Sequence, residues 1–511
     1  MFEHSWTILA FLVAIGISLL LWRWQQRQLA LSSIYGLPSP KGKWLTGNAM
    51  ELLAAAKEGT YSLTIFRWMQ QYGSMISLRI FTRPMVMVAK PQLIESILTE
   101  GQAQGIFTRS PSFYHAYKDV FGVHLGNQVG EAWKWRRQTA APAFRASRFT
   151  QKFDLIRQGC QQVITQLQSS AQTGKEVQVD PLFVDLTMNI IAYFFLGVTF
   201  EKTSNFAEEP PFDAKRLYAA LALLEKHVLL QTAGRSRWFK FLPTSEGREY
   251  RQAQDYLQQN LKPRVAMALQ VARASEAESP SVNSSFRNSM LVQFAKNPQH
   301  DQDSLMAETR AFIFAGHDTT AHTMSFAVGE LGLNPQIFQA AQQAVDQAWE
   351  KEGELNLSSL KHLDYIEAVV KETLRLHPVA TGIPLVTTQD TELDGVKMPK
   401  NVGVEPFFWA AGQDPEMFPK PEEFRPQRWL QKETDQQPLP LLFGFSRGSH
   451  FCVGAPLALL EATVMLSLLL RNFNWELVNG RDSLDDVNQH LTVFPRDRMP
   501  IRFVSRTESR A

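Results

Sequence analysis

The feature that most constrains this chain is the stretch Phe445-Ser446-Arg447-Gly448-Ser449-His450-Phe451-Cys452-Val453-Gly454, in which one cysteine stands between a glycine-bearing loop and an apolar run of helix formers. Gly448 and Gly454 flank the sulfur, and glycine lets backbone turn sharply or approach a flat ligand closely. The run from Ala455 to Leu470 reads as a helix. Cys452 is therefore expected at a helix N-terminus, where unpaired N–H groups and the dipole favour thiolate over thiol. A lone cysteine is ordinarily a small buried hydrophobe. The residues around this one argue for a ligand.

Phe, Ser, Gly, His, Cys and Gly fall at fixed offsets, Phe-Ser-x-Gly-x-His-x-Cys-x-Gly, and this pattern resembles the haem-binding loop of the cytochrome P-450 family. The resemblance extends through almost the whole chain. It implies a b-type haem whose iron is ligated by the Cys452 thiolate, with Phe445, Gly448, His450 and Gly454 against the cofactor. Many members carry Arg two residues before the cysteine, to pair with a haem propionate. His450 stands there in this chain, with a weaker and pH-dependent charge.

The run from Gly130 to Arg137 begins a helix on which Trp133 and Arg137 share a face at a spacing of four. By itself this is a solvated basic helix or an arginine fork for a carboxylate. It resembles the family's Trp-x-x-x-Arg helix, so Trp133 and Arg137 are expected as propionate contacts. In many members a further arginine follows a downstream proline. Here Leu385 follows Pro384, which implies that one propionate contact is missing or replaced.

A long helix from about Ser304 to Leu333 carries Ala315-Gly316-His317-Asp318-Thr319-Thr320. A glycine and an acid–alcohol pair are locally costly inside an apolar helix, and such rule-breaking is expected at functional sites. Gly316 lets the helix bend or pass near a flat ligand, and Asp318 and Thr319 can relay protons. Ala315, Gly316, Asp318 and Thr319 match the family's oxygen-activation motif, with His317 as a polar spacer at its variable position.

The amphipathic run Tyr365–Leu376 contains Glu372 and Arg375, ordinarily a surface pair worth about 0.2–0.5 kcal/mol. Here Glu-x-x-Arg resembles the family's structural motif, whose third member is Arg428. The three are expected as a buried ionic knot supporting the cysteine loop. Val379–Pro384 would line the cavity above the haem.

The chain has 511 residues, 52 basic against 50 acidic, and a net charge of +2, which argues against nucleic acid as a partner. Only Cys160 and Cys452 are present, so no disulfide framework is implied. Ser5–Trp22 is uncharged and mostly apolar, with Trp6, Trp22 and Trp24 as interfacial aromatics. Its length is near the lower limit of about 18 residues for a membrane span. Arg23, Arg27, Lys41 and Lys43 follow it, which places the remainder on the cytoplasmic side. A cleaved signal peptide fits less well, because no basic n-region and no Ala-x-Ala site are present. The membrane is that of the endoplasmic reticulum in a eukaryote, or a bacterial membrane otherwise.

The remaining chain reads as one mainly α-helical domain with small β-sheets. Met75–Ile80 and Met85–Val88 form a hairpin broken at Thr82-Arg83-Pro84. Residues 107–128 are loop-like, with Phe113, Tyr114 and Phe121 as pocket candidates. Residues 147–270 are largely helical, interrupted at 205–212 and 232–243. The second interruption contains the basic and aromatic run Arg235–Phe241, which reads as a solvated loop with aromatics tucked inward or, more sharply, as a shallow second membrane contact. Two domains follow: an anchor over 1–24 and a catalytic domain over 25–511.

The resemblance implies a membrane-anchored haem-thiolate monooxygenase of the cytochrome P-450 fold. Such an enzyme inserts one oxygen atom from O2 into an apolar small molecule, by hydroxylation or epoxidation. Its electrons come from NAD(P)H through a reductase or ferredoxin. A haem-thiolate isomerase or dehydratase acting on a peroxide would need no reductase, and the intact Asp318-Thr319 pair argues against it. A haem sensor without turnover is the other alternative. NAD(P)H consumption with product formation separates the three.

Overall fold

The computed structural model describes residues 29–145, 153–198, 213–274, 284–430 and 439–506, with scattered positions between Phe11 and Gln26. The expected anchor Ser5–Trp22 and the interruption at 205–212 therefore lie largely or wholly outside the described residues. Twelve described helices have ten residues or more: α1 (Ala49–Glu58), α2 (Tyr61–Tyr72), α3 (Pro111–Phe121), α4 (Gly130–Ala140), α5 (Phe153–Thr173), α6 (Val179–Leu196), α7 (Ala214–Thr232), α8 (Ser245–Arg273), α9 (Gln302–Leu333), α10 (Pro335–Glu352), α11 (Asp364–Leu376) and α12 (Ala455–Asn472). The chain is mainly helical, as its periodicity implied.

Helix α9 runs through the middle of this set. Most of its residues are buried, and it packs along α6 and also meets α8, α11 and α12. A helix apolar on nearly all sides is buried on nearly all sides, and α9 has no strong amphipathic stripe. Helices α6 and α12 are long and apolar enough to span a membrane. Most of each is enclosed by the rest of the protein, so both are core helices here.

The largest sheet has five strands: β1 (Met75–Ile80), β2 (Arg83–Val88), β3 (Phe107–Arg109), β4 (Leu385–Thr387) and β5 (Gly403–Pro406). Their order is β1-β2-β5-β4-β3, and only β2 and β5 run parallel. The hairpin turns at Phe81-Thr82, one position earlier than expected, with Arg83 opposite Ile80. Phe81 takes the left-handed conformation at φ 55° that this tight turn demands. Smaller sheets of two or three strands complete the β structure.

One stretch departs from the sequence reading. Residues 107–128 contain β3 and the 11-residue helix α3 rather than a loop. Ser110 caps α3 by accepting from the Phe113 N–H at 3.3 Å, and Pro111 occupies its first turn. Ala116, Val120 and Phe121 supply the buried face. Mixed aromatics, glycine and proline hid a cap signal that was present in the sequence. Within Arg235–Phe241, residues Arg237–Phe241 form a single 3-10 turn, in which Trp238 and Phe241 are exposed and Phe239 is buried.

Candidate active site

The cysteine loop folds as a tight bracket at the start of α12. Ser446 N donates to Phe443 O at 2.7 Å, and Cys452 N donates to Phe445 O at 2.9 Å. Gly448 sits at φ +68°, and a Cβ there would lie 2.3 Å from Leu98 O, so backbone shape and packing both require glycine. Arg447 fixes the loop from outside through two bonds to Glu95, at 2.7 and 3.0 Å. Gly454 meets no such demand, since an added methyl would stand 3.9 Å from Cys452 Sγ.

Cys452 Sγ is enclosed by protein except where it opens on a cavity. The N–H groups of Gly454 and Ala455, at the start of α12, point at it, and Arg137 adds positive charge. Burial nevertheless outweighs these and pushes the thiol above its ordinary value. The helix terminus has the expected sign without settling ionisation. A coordinated metal ion deprotonates a thiol outright.

The cavity has a volume of about 280 Å³. Cys452, Phe445, His450, Gly454 and Leu457 line it from the cysteine side. Ala315, Gly316, Thr319, Thr320 and Thr323 of α9 line it too, and Val379, Ala380, Gly382 and Ile383 from the segment after α11 also border it. Phe113, Tyr114 and Phe121 do not. Phe121 is fully buried against Phe314, with ring centres 5.0 Å apart.

Helix α9 presents different faces to different surroundings. Thr319 borders the cavity, and its Oγ1 donates to Ala315 O at 2.9 Å. Asp318, one residue earlier, turns away from it. Its Oδ1 lies 3.2 Å from His317 Nε2 and 3.5 Å from His322 Nε2, and Oδ2 accepts from Thr492 Oγ1 at 3.1 Å. Burial opposes its charge, but His317 and His322 hold Asp318 well below the usual carboxylate range. His322 also bonds Asp180 at 2.7 Å, and its pKa is about 9: burial lowers it, but Asp180 and Asp318 more than compensate. Gly316 owes its identity to packing as well as to the cavity, because a Cβ there would stand 2.6 Å from Ile191 of α6.

Trp133 and Arg137 on α4 flank the cysteine loop. Arg137 Nη1 donates to Phe451 O at 2.7 Å, and the Trp133 ring lies 4.5 Å from that of His450. Burial, with Arg109 and Arg137 nearby, lowers His450 to about 3. On the protein's own charges its imidazole is thus neutral at pH 7, and a carboxylate beside it would oppose that shift.

Below the loop, Glu372 is fully buried and saturated. Arg375 donates to it at 2.9 and 2.7 Å, Arg428 at 3.2 Å, the Arg425 N–H at 2.8 Å and Trp429 Nε1 at 2.8 Å. Arg375 also reaches the carbonyls of Gly412, Pro421 and Glu423. These three charged residues are structural.

Two polar groups were not legible in the sequence. Glu461 of α12 borders the cavity, with one carboxylate oxygen unpartnered, and burial pushes it well above the usual range. Arg109 of β3 is half-buried, its Nε has no hydrogen-bond partner among the described residues, and burial lowers it to about 10. Nothing in Phe107-Thr108-Arg109 marks it. Only the sheet brings it close enough to the cysteine loop to depress His450.

These residues suit a flat, mostly apolar macrocycle with a metal at its centre and acidic substituents at its edge. A sulfur ligand faces the slot, small and apolar side chains form its walls, and Arg109 has an unused donor beside the loop. The sequence profile of the family described as Cytochrome P450 matches residues 37–503. The chain belongs to the cytochrome P450 family. It is 26% identical over 483 residues to Cytochrome P450 3A14 of Cavia porcellus, covering 92% of this chain and 91% of that one. Identity to Cytochrome P450 3A29 of Sus scrofa is 26% over 419 residues, 80% of each chain. Cytochrome P450 3A7 of Homo sapiens is 25% identical over 491 residues, 93% of this chain and 91% of that one. This P450 is an oxidoreductase, a haem-thiolate monooxygenase with cysteine-ligated iron and NADPH-derived electrons supplied by a reductase.

Proposed function

We propose that this P450 oxidises an apolar small molecule held between α9 and the segment Val379–Ile383. The observation that carries this reading is the cavity itself, where Cys452 and Thr319 border one space whose other walls are largely apolar. Cys452 would hold the iron. Trp133, Arg137, His450 and Arg109 would hold the haem edge, while Phe445, Gly454, Ala315 and Gly316 would shape the slot and Gly448 the loop that carries the cysteine. When bound, the haem would supply the oxygen-activating chemistry.

The chain's own residues then have separate tasks. Apolar walls exclude bulk water and position the substrate. The Thr319 hydroxyl, on the cavity side, delivers protons, and Asp318, on the far side, refills the path from its imidazole neighbours. Glu372, Arg375 and Arg428 fix the backbone that leads to the cysteine loop.

The membrane reading rests on two observations. Among the described positions before Gln26, Phe11, Ile15, Leu19 and Trp22 are exposed apolar side chains at helical spacing. Trp238, Phe241 and Leu242 add an exposed apolar edge beside Arg237 and Lys240. A single N-terminal span over Ser5–Trp22 with the catalytic domain on the cytoplasmic side accounts for the first, and shallow contact with the same bilayer for the second.

The test is the ratio of product to NADPH oxidised, with hydrogen peroxide measured in parallel. Thr319→Ala should keep haem binding and substrate-induced spectral shifts while the ratio falls and peroxide rises. Asp318→Ala should slow the whole cycle. Unchanged coupling in Thr319→Ala would remove the hydroxyl from the mechanism.

A further inference from the structure

On the side of α9 turned away from the cavity, ligating side chains from two helices converge. Glu225 of α7 and His317 and Asp318 of α9 bring one ligand atom each within 4.8 Å of one another. All three side chains are buried. Among the described residues, neither Glu225 oxygen, nor His317 Nε2, nor Asp318 Oδ1 makes a well-formed hydrogen bond. Leaving one buried polar atom unpaired is costly, and here four face one another.

His317 is also oriented as a ligand. Its Nδ1 meets the Ile313 carbonyl at 2.8 Å, which fixes the ring with Nε2 directed into the cluster. Metal-binding imidazoles are held by this kind of outer bond. The nearby cations are already engaged: Arg498 bonds Asp180 at 2.9 Å, and His322 stands between Asp180 and Asp318. Neither cation is paired with Glu225.

We propose that Glu225, His317 and Asp318 bind one divalent first-row transition-metal ion, at a site distinct from the cysteine cavity. An imidazole with two carboxylates suits zinc and its neighbours better than magnesium or calcium, and three protein ligands leave a fourth position for water. Metal–ligand bonds of about 2.0–2.2 Å put ligand atoms roughly 3.3 Å apart. Closure therefore asks for a shift of about an ångström, within reach of the otherwise unbonded Glu225 side chain. Because α7 packs mainly on α3 and α8, the ion would clamp it to α9. Occupied, the site also withdraws Asp318 from proton exchange and so inhibits turnover. That consequence rests on the proposed role of Asp318, whereas metal uptake does not.

The test uses the full haem-loaded chain, freed of loose metal by chelator and dialysis, then titrated with Zn2+ by calorimetry. Elemental analysis counts zinc separately from haem iron. One zinc per chain is expected, with affinity at least tenfold weaker in His317→Gln and in Glu225→Gln, both of similar shape to the original side chains. Zinc should also slow hydrogen exchange in α7 of the wild type and not of either variant. No stoichiometric zinc on the wild-type chain, or uptake and exchange unaffected by both substitutions, overturns the site.

Discussion

Arg109 on β3 stands directly opposite Leu385 on β4. Leu385 occupies the position after Pro384 where many relatives were expected to carry a propionate-binding arginine. Directly paired residues project from the same face of a sheet. The strand next door thus carries a guanidinium where the expected one is lost, and its Nε has no hydrogen-bond partner among the described residues.

Arg109→Leu should therefore weaken haem retention. A charge-assisted hydrogen bond is worth about 1.5–3 kcal/mol, or roughly 10- to 150-fold in dissociation. Transfer of haem to an excess of apomyoglobin measures the rate. Leu385→Arg placed on the Arg109→Leu background should restore part of the loss, and no change in either variant would deny Arg109 a cofactor role.

Cys452→Ser should abolish the absorption band typical of reduced, carbon monoxide-bound thiolate haem, and Cys160→Ser should not. Cys160 is buried within α5, where burial raises its thiol, so it is a poor thiolate and has no cavity to face. The same spectrum recorded on the two variants decides it.

Glu372→Ala should cost about 3–5 kcal/mol, because Arg375 and Arg428 would remain as buried charges. Denaturant unfolding of the haem-loaded protein reports the loss. Replacing Arg375 should cost a similar amount and additionally free the carbonyls of Gly412, Pro421 and Glu423.

Glu405 on β5 gives a pH dependence of stability. Burial raises its carboxyl from 4.5 to about 7. The unfolded chain ionises near 4.5 while the folded one still holds the proton. Stability from this group is complete below pH 4.5, falls as pH rises to about 7, and is flat above. The loss is on the order of 3 kcal/mol. Glu308 behaves similarly, so the informative quantity is the difference between wild type and Glu405→Gln across pH 5–7. The variant should show a smaller slope, and parallel curves would mean that Glu405 is ionised in the folded protein.

What the sequence determined by itself was whatever local spacing encodes. The offsets around Cys452, the Ala315–Thr319 run, Glu372 with Arg375 and the long helical periods were all visible because each is written in neighbouring residues. Helix α3 was also encoded, through Ser110 and Pro111, but aromatics and glycine around it masked the signal. Tertiary structure decided the rest, because facing and pairing depend on elements far apart in the chain. It turned Thr319 to the cavity and Asp318 away from it, set Ile191 against Gly316, and put Glu225 beside His317. It also placed Arg109 across from Leu385, a pairing of residues hundreds of positions apart that only strand register creates. His450 shows the physical reason most directly: its side chain is titratable by type, but burial and the approach of Arg109 and Arg137, from elements far away in the chain, lower its pKa.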